Sequence, residues 1–346
     1  MKVLLLHEMS GVHTELKHGL QCLGVDARIA TYGDGWKNYK SDVDLGGIRP
    51  GFRSHVERLF KQASNIGNFK AFDVIQLISP NPFYRPASRL LEKLIFPGDK
   101  KLVYIAAGSD AIYRKHVRSL DYYPPHDWFE KNNELERLKN MLQPFHTIIP
   151  VCWEYKYSME KAGFSPTEVM PFPINIKKQN FQPLGRSGKI RFFHPLNRDN
   201  LNFDFKGTHL IRQAFAELAE KYSDVAEFSC AGGMSHEKYD VITDEVDVIV
   251  DQAYSFSYGM SAAYGLAKGK IVLSGLEGLA KDCSYYENSP VINIKPSVED
   301  IKEKIESLLS RRIELAVLGE ASRYFAEKYH DHVSVAERFL KIYKRS

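Results

Sequence analysis

"KVLLLHEMSGVHTELKHGLQCLGVDARIATYGDG", residues 2–35, reads as one supersecondary unit. The apolar run at its start predicts a buried strand, and Ser10-Gly11 predicts a tight turn. Val12, Leu16, Gly19, Leu20 and Leu23 recur at helical spacing, with Ser10 placed to cap that helix and Gly24 to end it. A second strand closes the stretch. Strand, tight turn, helix and strand make a βαβ unit, whose two strands run parallel.

Working outward, the same alternation continues. Apolar runs at 72–79 ("FDVIQLIS"), 101–108 ("KLVYIAAG") and 146–152 ("HTIIPVC") predict further strands, separated by helical or loop stretches. That is the grammar of a doubly wound α/β domain. Residues 171–189, "PFPINIKKQNFQPLGRSGK", break it with three prolines, two glycines and four basic residues, and are predicted to link two domains. A second series starts at 189–195 ("KIRFFHP"). Its first helix carries one apolar stripe, Leu210, Ile211, Ala214, Phe215, Leu218, Ala219 and Tyr222. Strands are predicted in "AEFSCAGG", "VDVIVD", "KIVLSG" and "SPVINI". Ser297 with Asp300 resembles a capping box, and the chain ends in helices.

The bulk numbers agree with two α/β domains. The chain has 346 residues, 44% hydrophobic and 26% charged, enough for about two cores. A net charge of +4 is too small to imply nucleic acid. Cys22, Cys152, Cys230 and Cys283 lie far apart without ligand spacing, and read as reduced thiols. The start lacks a signal-peptide run and no stretch reaches the ~18 apolar residues of a membrane span, so a cytoplasmic location is expected. Two basic amphipathic stretches, "HVERLFKQASNIGNFK" and "ASRLLEKLIF", could lie on anionic lipid at the inner face of a membrane, or be plain solvated helix faces.

Doubly wound sheets gather their ligand loops at the carboxyl ends of the strands, and two such domains enclose a cleft. The loops expected there are 9–13, 33–36, 108–110, 195–207, 232–233 and 254–261. Three suit phosphate. Gly11 opens a helix whose free N–H groups favour anions. Arg198 and Lys206 flank a long loop, where Arg can grip two oxygens and Lys adds a point charge. The segment 257–261 supplies small residues and a glycine ahead of another short helix. Each has a plainer reading: solvated cations for Arg198 and Lys206, an ordinary turn for Ser10-Gly11, packing for Tyr254 and Tyr258, and a helix cap for Asp110.

Taken in order, these pieces resemble the GT-B glycosyltransferases, in particular the large retaining family known as glycosyltransferase group 1 (family 4-like). "HPLNRDNLNFDFKGTHLIRQAF" is similar to the family's Arg…Lys-Gly segment, and "VDVIVDQAYSFSYGMSAAYGLAKGKIVLSG" to its donor loop and helix. "VYIAAGSD" and "MSGVHTELKHGLQCLG" are similar to its first-domain loops, and "HDHVSVAERFLKIY" to its crossing helix. The resemblance implies a GT-B architecture, two Rossmann-like doubly wound parallel-sheet domains facing across a cleft. It implies an acceptor domain of residues 1–173 completed by 329–346, and a nucleotide-sugar domain of 174–328. Asp110, Arg198 and Lys206 become catalytic candidates. Gly11, Gly232, Gly233, Tyr254, Ser257, Tyr258, Gly259, Met260 and Ser261 join Arg198 and Lys206 as donor-binding candidates. Ser10, His13, Trp36 and Ser109 are acceptor-binding candidates.

The chain departs from the family at three places. Its two glutamates, seven residues apart, fall on Ser257 and Tyr264, and its first-domain histidine falls on Ala107. In the family these glutamates contact donor sugar and ribose, and the histidine lies beside the reaction centre. Hydroxyls and a neighbouring acid such as Asp110, Asp251 or Glu277 are expected to take over. The implied activity is transfer of a sugar from a UDP- or GDP-sugar to a glycan, lipid-linked or small acceptor, as in polysaccharide biosynthesis, with no metal and no cofactor. The competing readings are a degenerate GT-B protein that binds a sugar nucleotide or a partner enzyme without turnover, and a sugar-nucleotide epimerase, for which the cleft carboxylates and histidine cannot be placed.

Overall fold

The computed structural model describes residues 1–33, 35–46, 52–81, 83, 88–96, 100–125, 133–184, 188–196, 204–282 and 286–345. Among these, β1 (Lys2–Leu6), β2 (Asp26–Thr31), β3 (Val43–Asp44), β4 (Val74–Leu77), β5 (Lys101–Ala106) and β6 (Thr147–Pro150) form a parallel sheet, ordered β3-β2-β1-β4-β5-β6. A second parallel sheet, ordered β11-β10-β9-β7-β8, holds β7 (Ile190–Leu196), β8 (Ala226–Gly232), β9 (Val248–Val250), β10 (Ile271–Ser274) and β11 (Ile292–Asn293). The order reverses between β1 and β4 in one sheet and between β7 and β9 in the other. Those switch points are where doubly wound sheets leave a crevice at their carboxyl ends.

Helices α1 (Val12–Cys22), α2 (Phe52–Phe69), α3 (Ser88–Ile95), α4 (Ala111–His116), α5 (Glu134–Leu142) and α6 (Trp153–Lys161) accompany the first sheet. The second is followed through α7 (Thr208–Lys221), α8 (His236–Glu245), α9 (Met260–Ala267), α10 (Glu277–Asp282), α11 (Val298–Ser310) and α12 (Leu315–Tyr329). The last helix, α13 (His332–Arg345), returns to pack on α1. Gly19 makes that approach possible, because a Cβ there would meet the His332 carbonyl oxygen at 2.1 Å. At the other end of α13, Tyr343 donates its hydroxyl to Gln76 Oε1 on β4 at 2.6 Å.

Buried β-strands with no polar face are the signature of a sheet covered on both sides. Val3, Leu4, Leu5 and Leu6 are all fully buried, as are Val248, Ile249 and Val250. One apolar cluster runs from β1 through Phe172 and Ile174 to Tyr258, α9 and α13, so the two halves share a core.

The segment expected to be a linker does connect the two sheets, but it is packed down. Ile174 is fully buried and exchanges backbone hydrogen bonds with His330 and His332 at 2.7 and 2.9 Å. Its apolar residues find a surface that proline content alone does not reveal. Ser10 also differs from expectation: Gly11 is the N-cap of α1 and no side chain of the cap residue bonds to the helix. The Ser297 cap is present, accepting from the Asp300 N–H at 3.3 Å. Cys22, Cys152 and Cys230 are free thiols, while Cys283 lies outside the described residues. No described helix is long and apolar enough to cross a membrane.

Candidate functional site

A cavity of about 620 Å³ lies at the carboxyl ends of both sheets. Its first-half wall includes Glu8, Ser10, Ser109 and Glu154; its second-half wall includes Lys206, Gly232, Gly233, Asp251, Gln252, Gly259, Met260 and Ser261. Each group hangs on a strand end or on a helix start, which fixes its backbone before any ligand arrives.

The second-half wall is built around one buried ion pair. Lys206 is 5% exposed, and its Nζ donates to Asp251 Oδ1 at 2.6 Å and to the Pro195 carbonyl at 3.0 Å. Asp251 Oδ2 accepts the Gly259 N–H at 3.1 Å, just ahead of α9. One carboxylate therefore ties the loop cation to a helix start. His194 supports the same corner from below. Its Nδ1–H donates to the Val250 carbonyl at 2.6 Å, and its Nε2 accepts the Thr208 hydroxyl at 2.9 Å. Burial, then the nearby Lys206 charge, lowers the His194 pKa to about 4, so the ring is neutral and this pattern is fixed.

The first-half wall has a different device. Glu8 Oε1 accepts the Met9 and Gly11 N–H groups at 2.6 and 2.9 Å, while Oε2 accepts the Thr14 N–H at 2.7 Å and its hydroxyl at 2.5 Å. The amino end of α1 is thus closed by the chain's own carboxylate. This corrects the expectation that the Gly11 turn offers free amides to a phosphate. Gly11 has φ 93°, and a Cβ there would meet the hydroxyl oxygens of Tyr39 at 2.7 Å and Tyr264 at 2.9 Å. Glycine is required by that close approach.

The two positions expected from the resemblance to carry glutamates do touch glutamates, supplied by the first half. Ser257 donates its hydroxyl to Glu154 Oε2 at 2.5 Å, and Tyr264 donates to Glu15 Oε1 at 3.1 Å. Glu15 Oε2 accepts the Asn175 N–H at 2.8 Å. Burial raises the Glu15 pKa above its ordinary value, against those two hydrogen bonds. Tyr39 stacks on His236, and the His236 ring is tilted against Tyr264, with ring centroids 5.0 Å apart in each pair, so aromatic rings from both halves border this end of the cavity.

Of the candidates named from sequence, Ser10, Ser109, Lys206, Gly232, Gly233, Asp251, Gly259, Met260 and Ser261 meet on the cavity wall. Others turn elsewhere. Asp110 caps α4, accepting the Tyr113 N–H at 2.8 Å and the Tyr104 hydroxyl at 3.0 Å, and burial raises its pKa. Its carboxylate is spent on the fold. His13 is fully buried behind the β1–α1 turn, donating from Nδ1 to the His7 carbonyl at 2.7 Å and accepting from Gln76 Nε2 at 3.1 Å. Tyr258 is also core, its hydroxyl paired with His330 Nε2 at 2.7 Å. Ser257 is fully buried beneath the wall, Gly11 lies under Tyr39 and Tyr264, and the Tyr254 ring sits 6.1 Å from that of His209. Glu277 pairs with Lys295 at 3.1 Å, away from the cavity. Arg198 and the Trp36 side chain lie outside the described residues.

Sequence reasoning missed Glu8, Glu15, Glu154, Gln252 and His236. Glu154 had a usable signal, since the turn after β6 also ends at the carboxyl edge of its sheet. That signal is faint, because "VCWEY" lacks the glycines and serines that mark an anion loop. Among the described residues no group of three or more His, Cys, Asp or Glu is arranged to hold a metal ion.

No family model and no curated protein matches the chain. Solved structures do match in fold. HepE from Anabaena, in complex with UDP and glucose, gives a TM-score of 0.69 over 100% of both chains at 13% identity. Sucrose-phosphate synthase from Thermosynechococcus elongatus also gives 0.69 at 13% identity, over 100% of this chain and 98% of that one. UDP-GlcNAc 2-epimerase from Neisseria meningitidis, bound to UDP-GlcNAc, gives 0.56 at 11% identity over 100% of both. The two facing Rossmann-like halves are the GT-B fold, and at these identities the likeness carries the fold alone.

Proposed function

We propose that the chain is a glycosyltransferase moving a sugar from a UDP- or GDP-sugar to a glycan, lipid-linked or small acceptor. The observation that carries this is the buried Lys206 on the cavity wall, tied through Asp251 to Gly259 at the start of α9. A fixed cation beside a helix start and the Gly232–Gly233 turn suits the two phosphates of a sugar nucleotide. Stabilising a diphosphate as it leaves is the main electrostatic task of glycosyl transfer, and positioning supplies much of the rest. The fold neighbours solved with UDP, glucose or UDP-GlcNAc support a uridine nucleotide as the first ligand to try.

In this reading Lys206, Gly232, Gly233, Gly259, Met260 and Ser261 take the donor, Arg198 is a further donor candidate from sequence, and Ser10 and Ser109 face the acceptor. The domain division at 173/174, retention of configuration and independence of metal belong to the same proposal. So does a membrane-side location, which the exposed Val56, Phe60, Leu90 and Leu94 of α2 and α3 support.

Calorimetric titration with UDP, GDP and UDP-glucose tests it, together with consumption of UDP-glucose followed by phosphorus NMR. One nucleotide bound per chain and slow release of UDP from UDP-glucose are expected. If none of the three ligands binds, the reading is wrong. A second reading, binding without turnover, is favoured by Glu8: the first-half turn that resembles a diphosphate loop is already filled. Binding of UDP-glucose without its consumption, across a panel of sugar acceptors, would select it.

A further inference from the structure

The loop that leads into α9 takes its shape from the other half of the molecule. Glu154, on the first turn of α6 and 3% exposed, spends both carboxylate oxygens on three consecutive residues of that loop. Oε1 accepts the Phe256 N–H at 2.6 Å and the Ser255 hydroxyl; Oε2 accepts the Ser257 hydroxyl at 2.5 Å. The clasp is reciprocal, since Ser257 Oγ accepts the Trp153 N–H at 2.9 Å. The Phe256 ring stacks on Tyr122 at 4.2 Å and leans on Trp153 at 5.4 Å, both first-half residues. Inside the loop, Gln252 Nε2 donates to the Ser257 carbonyl at 2.7 Å, and Gln252 adjoins Asp251, the partner of Lys206. Two residues after Ser257 the same backbone becomes Gly259–Ser261 on the cavity wall.

We propose that Glu154 is a positioning residue: from the first half it sets the 255–257 loop, and through it the Gly259–Ser261 backbone and the Lys206–Asp251 corner. Ligand binding on the second-half wall then depends on the two halves being docked. A charged acceptor holding three donors of one loop in a buried place is strong enough to select one loop conformation. This rests on the cavity's being a nucleotide site, so the test has one arm that needs no nucleotide.

The variants are Glu154→Ala, Glu154→Gln and Ser257→Ala. The first arm reads hydrogen exchange over 255–262 in the free protein; the second reads UDP affinity by calorimetry. Glu154→Ala is expected to lose protection in 255–262 selectively and to weaken UDP binding at least tenfold. Glu154→Gln, which keeps one accepting oxygen, is expected to recover part of both. Ser257→Ala, whose hydroxyl lies beneath the wall, is expected to weaken UDP binding about threefold through the loop alone. Glu154→Ala that folds with wild-type protection and wild-type UDP affinity overturns the proposal. If that variant does not fold, unchanged protection and affinity in Ser257→Ala overturn it. If UDP, GDP and UDP-glucose all fail to bind the wild-type chain, the glycosyltransferase reading falls and the exchange arm alone decides on Glu154.

Discussion

Two strand-to-helix turns face each other across the cavity, and they use a carboxylate in opposite ways. After β1, Glu8 folds back over α1 and takes three N–H groups and a hydroxyl from its own turn. After β9, Asp251 takes a single N–H, that of Gly259, and offers its second oxygen to Lys206. The first turn is satisfied within itself. The second is satisfied through a cation, and a cation can exchange a carboxylate for a phosphate. The same local motif, an acid at a strand end before a glycine and a helix, thus makes scaffold on one side and a candidate anion site on the other.

The largest expected effect comes from breaking the second turn. Lys206→Ala leaves the fully buried Asp251 without its ion partner, which costs about 3–5 kcal/mol of stability. UDP affinity is expected to fall on the order of a hundredfold, the loss of one or two charge-assisted bonds at roughly 1.5–3 kcal/mol each. Urea unfolding and calorimetry read the two effects separately. Wild-type values for both would mean that the ion pair is not the corner on which the site is built.

Glu8→Ala breaks the first turn. It removes the acceptor of three backbone N–H groups at a helix start, expected to cost about 2–3 kcal/mol, somewhat more than an ordinary cap. Here the comparison predicts a crossing: UDP affinity should fall less than it does in Lys206→Ala. A Glu8 variant that loses UDP more completely than the Lys206 variant would reverse the roles of the two turns.

The contrast also marks how far the sequence could be read. The strands were legible because they are buried on both faces, so runs such as Val3–Leu6 and Val248–Val250 carry no polar interruption. Parallel order followed from the spacing between them. The cavity loops were legible too, since any loop at a carboxyl strand end must gather there, and nine of the named residues meet on its wall. The carboxylates were not. Glu8, Glu15 and Glu154 act through contacts across the turn or across the two halves, over separations of 160 residues for Glu15 with Asn175 and 103 for Glu154 with Ser257. Local pattern holds no record of such pairs. Asp110 misled for the complementary reason: an acid after Gly-Ser at a strand end fits a site and a helix cap equally well, and only the Tyr104 hydroxyl, donating to it at 3.0 Å, decides.

The smallest effect per step bears on both turns at once, because each is backed by a neutral buried histidine. His13 braces the first through the His7 carbonyl, and His194 braces the second through the Val250 carbonyl. Burial is the main cause in both, lowering His13 to about 3 and His194 to about 4, from an ordinary value of 6.5. The folded pKa lies below the unfolded one, so the unfolded chain takes up the proton first. Stability is therefore full above pH 6.5 and falls on acidification, by about 1.4 kcal/mol per pH unit for each histidine until its folded pKa is reached. Glu15 and Asp110, raised by burial, act with the opposite sign, since their folded forms hold a proton better. Urea unfolding at pH 7 and pH 5 should show the loss, and His13→Gln should remove about one proton from the slope while leaving the His194 share. A His13→Gln variant with the same pH slope as the wild-type chain would mean that a neutral ring does not brace the first turn.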